Sequence, residues 1–333
     1  MNLVASKANR ARFSLGNTLM KKWIPLILAA AITGAAFAAK TETQSPSSKE
    51  LALLETFRTE ANIVYKTIDG ESLDLILFLP KGKTTGKMPV MLYTHGGGWG
   101  GGDKYRILKQ SFLDTLRILL DQGIACASIE YRLTRLGKST AVDSVIDCKD
   151  AARFLLMHAD KYNLDPERMG VWGGSAGGHL SLMTGLADNS LFLGDAKLAS
   201  VDPEFRCIAS YYPAVSFLKP ELSQATNFEK PQRMIPMIGG LLKDKLEVAA
   251  LISPTEHLKK SSPAVLVLHG DNDTVLPIAH SHYFMEIAKK KAADVQMLTV
   301  IGGGHSFSGK GISPSMPEIN RIAAEFIISR LNL

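Results

Sequence analysis

The sequence has little cysteine and none of the short motifs of metal sites. Its three cysteines, Cys126, Cys148 and Cys207, each lie inside an apolar or helical segment. An odd number at such positions predicts buried free thiols rather than a disulfide framework. There is no Cys-x-x-Cys and no His-Glu-x-x-His, and His280 and His282 stand two residues apart in a helical pattern, where their side chains face different ways. We therefore expect neither a disulfide scaffold nor a metal or other cofactor.

The chain has almost no net charge beyond residues 1–38. The formal net charge is +6, and residues 1–38 contribute five basic side chains and no acidic one. Removing those five charges leaves a formal charge of only +1 for the remainder. The remainder has no run of lysine or arginine with interleaved aromatic residues, so the sequence does not predict a nucleic-acid partner.

The leader also lacks an apolar run long enough to cross a bilayer. Its apolar stretch, Trp23–Ala38, is shorter than the roughly 20 residues that a spanning helix needs. The basic pair Lys21-Lys22 precedes this stretch, which ends in a small-x-small pattern. These features are typical of a cleavable secretory signal, with translation starting at Met20 and cleavage after Ala38. We expect residues 1–38 to be removed and the protein to be secreted or periplasmic without a stable membrane anchor; an uncleaved anchor is the alternative.

The rest of the chain alternates between strand-like and helical patterns. Residues 39–61 are expected to form an N-terminal spacer, of which residues 40–50, rich in Thr, Ser, Pro, Lys and Glu, are the flexible part. Asp69-Gly70 separates two interleaved apolar runs and predicts an antiparallel hairpin. Six nearly wholly apolar runs follow, as expected for strands buried on both faces of a parallel sheet. The eight expected strands are Asn62–Thr67, Ser72–Leu79, Val90–Thr94, Ile124–Ile129, Met169–Trp172, Cys207–Tyr212, Ala264–Leu268 and Val295–Ile301.

Helical patterns lie between these strands, at Tyr105–Gln122, Val142–Ala159 and Ile278–Lys290. This alternation predicts an α/β fold over residues 62–333, with a mostly parallel, doubly wound sheet of eight strands and helices on both faces. Ser216–Ile252 does not follow the alternation. Its prolines and apolar residues predict a small helical cap, inserted after strand six above the carboxyl ends of the strands; a surface excursion is the alternative.

The loops that directly follow strands are the ones to search for a site, because ligands of such sheets bind beyond the carboxyl ends of the strands. Four of these loops carry residues with suitable chemistry. They are His95–Trp99 after strand three, Ser175 after strand five, His269–Val275 after strand seven and Gly302–Phe307 after strand eight.

Ser175 stands in the sequence Gly-Gly-Ser-Ala-Gly-Gly, between an apolar strand and a helical pattern. Small flanking residues permit the sharp strand-to-helix turn that presents a nucleophilic hydroxyl at a helix N-terminus. Glycine is frequent in this chain, so the spacing alone is weak evidence and the partners of the serine must decide.

Those partners are present in the other loops. A serine hydroxyl needs a base, and His305 held in one tautomer by Asp271 or Asp273 would supply it. A tetrahedral oxyanion needs donors, and the bare N–H groups of Gly97 and Gly98 could provide them beside that of Ala176. His95 and His269 sit at strand ends, where an imidazole more often satisfies loop carbonyl groups than acts as a base.

Together these motifs resemble the α/β-hydrolase serine esterases, in the branch that carries His-Gly-Gly-Gly-Trp before a Gly-x-Ser-Ala-Gly-Gly elbow. That branch includes hormone-sensitive-lipase-like carboxylesterases and bacterial feruloyl, acetylxylan and related carbohydrate esterases. The resemblance extends from about Asn62 to the C-terminus and includes Glu130–Leu133, Asp165–Arg168 and Ser253-Pro254. It implies the following roles: nucleophile Ser175, base His305, acid Asp273, and oxyanion donors Gly97, Gly98 and Ala176.

The resemblance implies a serine carboxylesterase that needs no cofactor and acts through an acyl-enzyme on short-chain or aromatic esters. Export suggests a small-molecule or oligosaccharide ester outside the cytoplasm, such as acyl groups on plant polysaccharide fragments. Two alternatives remain: a peptidase or amidase of the same fold, including formamidase-like members, and a non-catalytic binding protein on a hydrolase scaffold. The sequence carries no signal for an oligomeric state.

Overall fold

The computed structural model describes residues 46–82, 85–223 and 230–332, all of which belong to one unit, Glu42–Leu333. The predicted signal peptide, residues 1–38, and the predicted start at Met20 lie outside the described residues. Within those ranges, no helix is both long enough and apolar enough to cross a membrane.

The described chain forms the eight-stranded sheet that the sequence predicts. The strand order is β1-β2-β4-β3-β5-β6-β7-β8. β2 pairs antiparallel with β1 and β4, and every other pairing is parallel. The predicted fold class is therefore confirmed. The strands are β1 Arg58–Ile68, β2 Glu71–Leu79, β3 Met88–Thr94, β4 Ala125–Ile129, β5 Leu164–Gly174, β6 Cys207–Tyr211, β7 Ala264–Gly270 and β8 Val295–Val300.

Helices cover both faces of this sheet. The α-helices of the described ranges are α1 Ser48–Leu54, α2 Gln110–Asp121, α3 Ala141–Met157, α4 Ala159–Tyr162, α5 Ala176–Leu186, α6 Pro231–Ile238, α7 Leu246–Leu251, α8 Pro254–His257, α9 Ala279–Lys291 and α10 Met316–Leu331. The 3-10 helices are Lys104–Leu108, Asn189–Leu191, Pro220–Ser223, Leu242–Asp244 and His305–Phe307.

The core consists of two apolar layers, one on each face of the sheet. Helices α3, α5 and α9 pack on one face, and α2 and α10 pack on the other. All seven residues of β3 are buried, which explains why this strand reads as a continuous apolar run. The three cysteines are buried and free, as predicted.

The predicted spacer of residues 39–61 contains regular structure over its second half, so that prediction is corrected there. Ser47 and Glu50 form a capping box that starts α1. Strand β1 begins at Arg58 rather than at Asn62. Asn62 instead sits inside the strand with φ 55°, where the register with β2 shifts. Asparagine tolerates this left-handed conformation, so the strand passes through a bulge where the sequence suggested a start.

The predicted helix Tyr105–Gln122 is also wrong as a single element. It divides into the 3-10 helix Lys104–Leu108 and α2, because Lys109 is extended (φ −74°, ψ 152°). The Asp103 carboxylate caps the 3-10 helix by accepting from the Tyr105 N–H at 2.9 Å. Lys104 is tied to the sheet through Glu130, which accepts from its backbone N–H at 3.1 Å. The 3-10 helix is therefore held near the end of β4 and does not continue into α2.

The other predicted helices agree closely with α3 and α9. The segment predicted as a cap, Ser216–Ile252, is helical where it is described: it contains α6, α7 and two 3-10 helices. Met234, Met237 and Ile238 of α6 are buried. These three apolar residues of the insertion therefore pack inward, whereas Leu241 and Leu246 are exposed.

Candidate active site

Ser175 lies at a strained turn between β5 and α5. Its backbone has φ 60° and ψ −123°, a conformation that costs a non-glycine residue about 1–3 kcal/mol. The flanking glycines are required by contact. A Cβ on Gly173 would stand 2.3 Å from the Thr94 carbonyl oxygen, and one on Gly177 would stand 2.0 Å from the same atom. Helix α5 can therefore begin directly after Ser175 only because these positions carry no side chain.

A chain of hydrogen bonds connects Ser175 to His305 and Asp273. The Ser175 Oγ is 3.0 Å from His305 Nε2, and His305 Nδ1 is 2.7 Å from Asp273 Oδ2. A carboxylate can only accept, so His305 carries its proton on Nδ1 and donates it to Asp273. This tautomer leaves Nε2 free to accept the serine proton.

The structure distinguishes the two aspartates that the sequence offered. Asp273 is buried and faces His305 with Oδ2, while its Oδ1 accepts from the N–H groups of Val275 (2.8 Å) and Leu276 (2.9 Å). Asp271 is exposed and accepts from the Gly302 N–H at 2.7 Å. Asp273 therefore lies in the serine–histidine chain, whereas Asp271 holds the turn that leads toward His305.

A second histidine also contacts Asp273. Its ring stands at the end of β7, where His269 Nε2 donates to the Leu276 carbonyl at 2.8 Å and lies 3.4 Å from Asp273 Oδ2. Burial raises the pKa of Asp273, but the hydrogen bonds from His269 and His305 and the charge of His305 outweigh it, and the pKa lies well below its ordinary value. Asp273 is thus an anion at neutral pH.

The glycine loop after β3 folds tightly in front of Ser175. Gly97 and Gly98 have φ 136° and 62°, and a Cβ on Gly97 would stand 1.9 Å from the carbonyl oxygen of Gly101. Ala176 is the first residue of α5, where backbone N–H groups have no intrahelical acceptor. The loop and the helix start therefore both border the Ser175 hydroxyl with backbone that carries little or no side chain.

Trp99 anchors this loop to α5 and to the end of α7. Its indole Nε1 donates to His179 Nδ1 at 3.0 Å, so His179 carries its proton on Nε2 and donates it to the Ile252 carbonyl at 2.7 Å. Burial lowers the pKa of His179 to about 4, which keeps the ring neutral and able to accept from Trp99. The other loop histidine, His95, donates from Nδ1 to the Gly96 carbonyl at 2.9 Å and stacks on Tyr131.

A cavity of about 500 Å³ opens in front of Ser175. The glycine loop, His305 and residues of α6 line it together. Tyr212, whose backbone has φ 40°, packs edge to face with His305, and the two ring centroids are 4.8 Å apart. Burial raises the pKa of this phenol to about 12. The sequence alone assigns no role in the site to Tyr212, Arg106, Ser111 or Arg233, all of which line the cavity. None of them belongs to a motif, so only the folded chain reveals their position.

Within the described ranges, no group of three or more His, Cys, Asp or Glu side chains is placed to hold a metal ion. The His280 ring instead faces Ser223, with Nε2 2.7 Å from the serine hydroxyl. The side chains next to Ser175 instead form the hydrogen-bonded chain through His305 to Asp273.

Comparison with curated proteins finds relatives that are named as ester hydrolases. "Probable carboxylic ester hydrolase LipM" of Mycobacterium tuberculosis is 27% identical over 207 residues, which are 61% of this chain and 45% of that protein. "Esterase LipC" of the same organism is 28% identical over 239 residues, 68% of this chain and 55% of that protein. The chain thus spans about half the length of the curated relatives it matches.

Solved esterase structures share the fold. Esterase Est2 of Thermogutta terrifontis, solved with propionate, has a TM-score of 0.67 at 22% identity and aligns over 81% of this chain and 94% of that one. A truncated carbohydrate esterase from gut microbiota has a TM-score of 0.70 at 22% identity, over 84% and 99%. The BD-FAE family model matches residues 73–287, well over half of the sequence. This chain therefore belongs to the BD-FAE family of α/β hydrolases.

Proposed function

We propose that this protein is a serine carboxylesterase in which Ser175 is the nucleophile, His305 the base and Asp273 the group that orients it. The observation that carries the proposal is the hydrogen-bonded chain from Ser175 Oγ through His305 to Asp273, in front of the glycine loop. The esterase names of the relatives support the same reaction class. Because the chain matches only part of those proteins, its own activity rests on this site.

In the first half-reaction, Ser175 Oγ attacks the ester carbonyl while His305 Nε2 takes its proton. The charge that forms on the imidazole is stabilised by Asp273, which stays ionised. The negative charge on the former carbonyl oxygen would be met by the N–H groups of Gly97, Gly98 and Ala176. His305 then returns the proton to the leaving alcohol oxygen, which departs and leaves an acyl-enzyme.

The second half-reaction repeats these steps with water. His305 Nε2 removes a proton from the water as it attacks the acyl carbon, and the same backbone donors hold the new oxyanion. Collapse of the intermediate transfers the proton to Ser175 Oγ and releases the carboxylic acid. Every proton and electron pair in this cycle moves between the substrate, water and these side chains.

The cavity supports small or aromatic ester substrates. A volume of about 500 Å³ lies in the range of small-molecule sites. Pro236 and Met237 of α6 contribute apolar wall, and we propose that the insertion acts as a cap that sets the size of the acyl or alcohol group. With the predicted export signal, this favours acyl groups on small molecules or plant polysaccharide fragments outside the cytoplasm.

A hydrolysis panel tests the reaction class. It compares nitrophenyl esters of graded chain length, methyl ferulate and acetylated xylan with an aminoacyl amide. We expect ester turnover to dominate, whereas amide turnover above that of every ester would favour the amidase alternative. Ser175→Ala should abolish labelling by a fluorophosphonate probe and reduce turnover by roughly 10⁴-fold or more. Retained labelling would mean that another residue is the nucleophile, and a wild type without turnover would favour the binding-protein alternative.

A further inference from the structure

The cavity in front of Ser175 is lined by cations and by no carboxylate. Its charged lining residues are Arg106, Lys109 and Arg233, and no Asp or Glu appears among the described residues of the wall. Lys109 and Arg233 are exposed and therefore well screened by water, while Arg106 is half-buried. Arg106 is thus the cation whose charge acts most strongly inside the cavity.

The Arg106 guanidinium has hydrogen-bond donors that no described residue accepts. Across the described part of the chain, its guanidinium makes no hydrogen bond and has no carboxylate within 4 Å. Its neighbour in the chain, Asp103, uses a carboxylate oxygen to cap the 3-10 helix instead. The Arg106 side chain lies against the glycine loop, where a Cβ on Gly102 would come within 2.9 Å of its Nε. The loop therefore leaves room for this side chain, whose five N–H donors have no acceptor among the described residues.

Phenol and serine hydroxyl groups line the cavity beside Arg106. The Tyr93 hydroxyl is buried and has no hydrogen-bond partner among the described residues. Burial raises the pKa of Tyr93 well above its ordinary value, although the charge of Arg106 lowers it. The phenol is thus a protonated donor near the guanidinium. Tyr212 and Ser111 complete this group, which we call the Arg106 pocket: Tyr93, Arg106, Ser111 and Tyr212.

The Arg106 pocket borders the same cavity as the reacting serine. A Cβ on Gly174, the residue before Ser175, would stand 2.8 Å from the Tyr212 hydroxyl. The two sets of groups also line the same cavity of about 500 Å³. One small molecule can therefore reach Ser175 and Arg106 together.

We propose that the Arg106 pocket binds a carboxylate of the substrate, so that the preferred substrates are esters carrying a second, acidic group. The planar guanidinium matches a carboxylate in two parallel hydrogen bonds, and the phenol adds a third donor. The carboxylate could belong to the acyl group, as in a half-ester of a dicarboxylic acid, or to the alcohol, as in an acylated hydroxy acid. This inference rests on the proposed esterase function.

The test compares isosteric charged and neutral esters in two arms. The acyl arm uses monomethyl succinate against methyl succinamate, and the alcohol arm uses 4-acetoxybenzoate against 4-acetoxybenzamide, all followed by pH-stat. The measured quantity is the ratio of kcat/KM for the charged ester to that for the neutral one. The proteins are the wild type, Arg106→Gln, Arg106→Lys and the control Arg117→Gln. Arg117 pairs with Asp114 on the surface of α2, outside the cavity, so its variant removes the same charge elsewhere.

We expect the wild type to prefer the charged ester in at least one arm, which also identifies the side that carries the carboxylate. Arg106→Gln should lower that ratio by about 10- to 100-fold, mainly through KM, as for loss of a charge-assisted hydrogen bond. Arg106→Lys should recover part of it, and Arg117→Gln should leave it unchanged. Fluorophosphonate labelling of Ser175 in each variant verifies that the site is folded.

An equal ratio in wild type and both Arg106 variants, in both arms, would overturn the inference while neutral ester turnover upheld the proposed function. A wild type that prefers the neutral ester in both arms would also overturn the inference and leave the proposed function standing. If the wild type hydrolyses none of the four esters, the proposed function and this inference fail together.

Discussion

At the scale of single residues, Asp273 has two roles. The sequence offers Asp271 or Asp273 to orient His305, and the family resemblance implies Asp273. In the structure Asp273 Oδ2 faces His305, but Oδ1 also accepts two backbone N–H bonds from its own loop. The carboxylate is therefore fixed from the opposite side while it fixes the imidazole. This explains how a residue in a loop can hold a ring in one orientation.

Asp273→Asn should keep the hydrogen bonds to the loop backbone but lose the orientation of His305. The asparagine oxygen can still accept from Val275 and Leu276, but its NH₂ would then face His305 Nδ1 and favour the wrong tautomer. The equivalent change in serine proteases costs about 10⁴ in kcat, and we expect a loss of several orders of magnitude in kcat/KM at neutral pH. Thermal unfolding, measured by circular dichroism, should show a folded protein with a cooperative transition.

Asp271→Asn is the matched control, because it makes the same substitution two residues away. It weakens the single hydrogen bond to the Gly302 N–H and should lower stability by about 1 kcal/mol with little change in kcat/KM. If Asp271→Asn lost the larger share of activity, the orienting role would pass to Asp271.

The residues of the site divide into a predictable and an unpredictable group. Ser175, Asp273 and His305 follow strands directly, so motif and topology together predict that they meet. Arg106 and Tyr212 could not be predicted in the same way. Arg106 lines the cavity from a 3-10 helix that ends before Lys109, and Tyr212 faces His305 from a backbone with φ 40°. Both features are set by tertiary contacts rather than by local pattern.

At the scale of elements, the turn from β5 into α5 depends on close backbone approach. Gly177→Ala would place a Cβ 2.0 Å from the Thr94 carbonyl oxygen, which belongs to the neighbouring strand and cannot move aside. We expect a loss of stability at or above the ~1–3 kcal/mol typical of overpacked cores, together with loss of ester hydrolysis. Gly82→Ala is the control, since a Cβ there meets nothing within 4 Å. An active Gly177→Ala protein of normal stability would contradict the tight turn.

The sequence predicts the boundaries of a helix well where the whole apolar pattern packs against one face of the sheet. Helices α3 and α9 agree with their patterns because each packs along its length on one face of the sheet. The pattern failed for Tyr105–Gln122, where two short helices both bury apolar residues and so imitate one long helix. The pattern also placed the start of the first strand at Asn62, whereas β1 begins at Arg58 and continues through a bulge at Asn62.

Helix α6 offers a point test of the proposed cap. Met237 is buried and lines the cavity of Ser175, whereas Met234 on the same helix is buried and lines a separate cavity. Met→Ala at either position should cost about 2–5 kcal/mol of stability. Only Met237→Ala should raise kcat/KM for hexanoate relative to acetate, by roughly threefold or more, since it opens room for further methylenes. Equal profiles for the two variants, measured with nitrophenyl esters, would count against a size-setting role for α6.

At the scale of the whole molecule, most of the net positive charge lies in the leader, residues 1–38, and the described fold lies beyond it. The basic residues of the leader account for most of the formal +6, and the remainder is nearly neutral at +1. The described fold starts with the capping box at Ser47, well beyond the predicted cleavage after Ala38. Removal of the leader would therefore leave every described element intact. It would also remove five of the six formal net positive charges.

Export can be tested on protein isolated from the host in which it occurs. Intact-mass measurement should find a mature chain that begins at Ala39, because Ala36 and Ala38 provide the small residues that signal peptidase requires at the third and first positions before the cut. Ala38→Phe should block processing and leave the leader attached, whereas Ala35→Phe, one position outside the recognised pair, should be processed normally. Cell fractionation should find the processed protein outside the cytoplasm. A wild-type protein that retains residues 20–38 would remove the argument for an extracytoplasmic ester, while leaving the serine–histidine–aspartate chemistry unaffected.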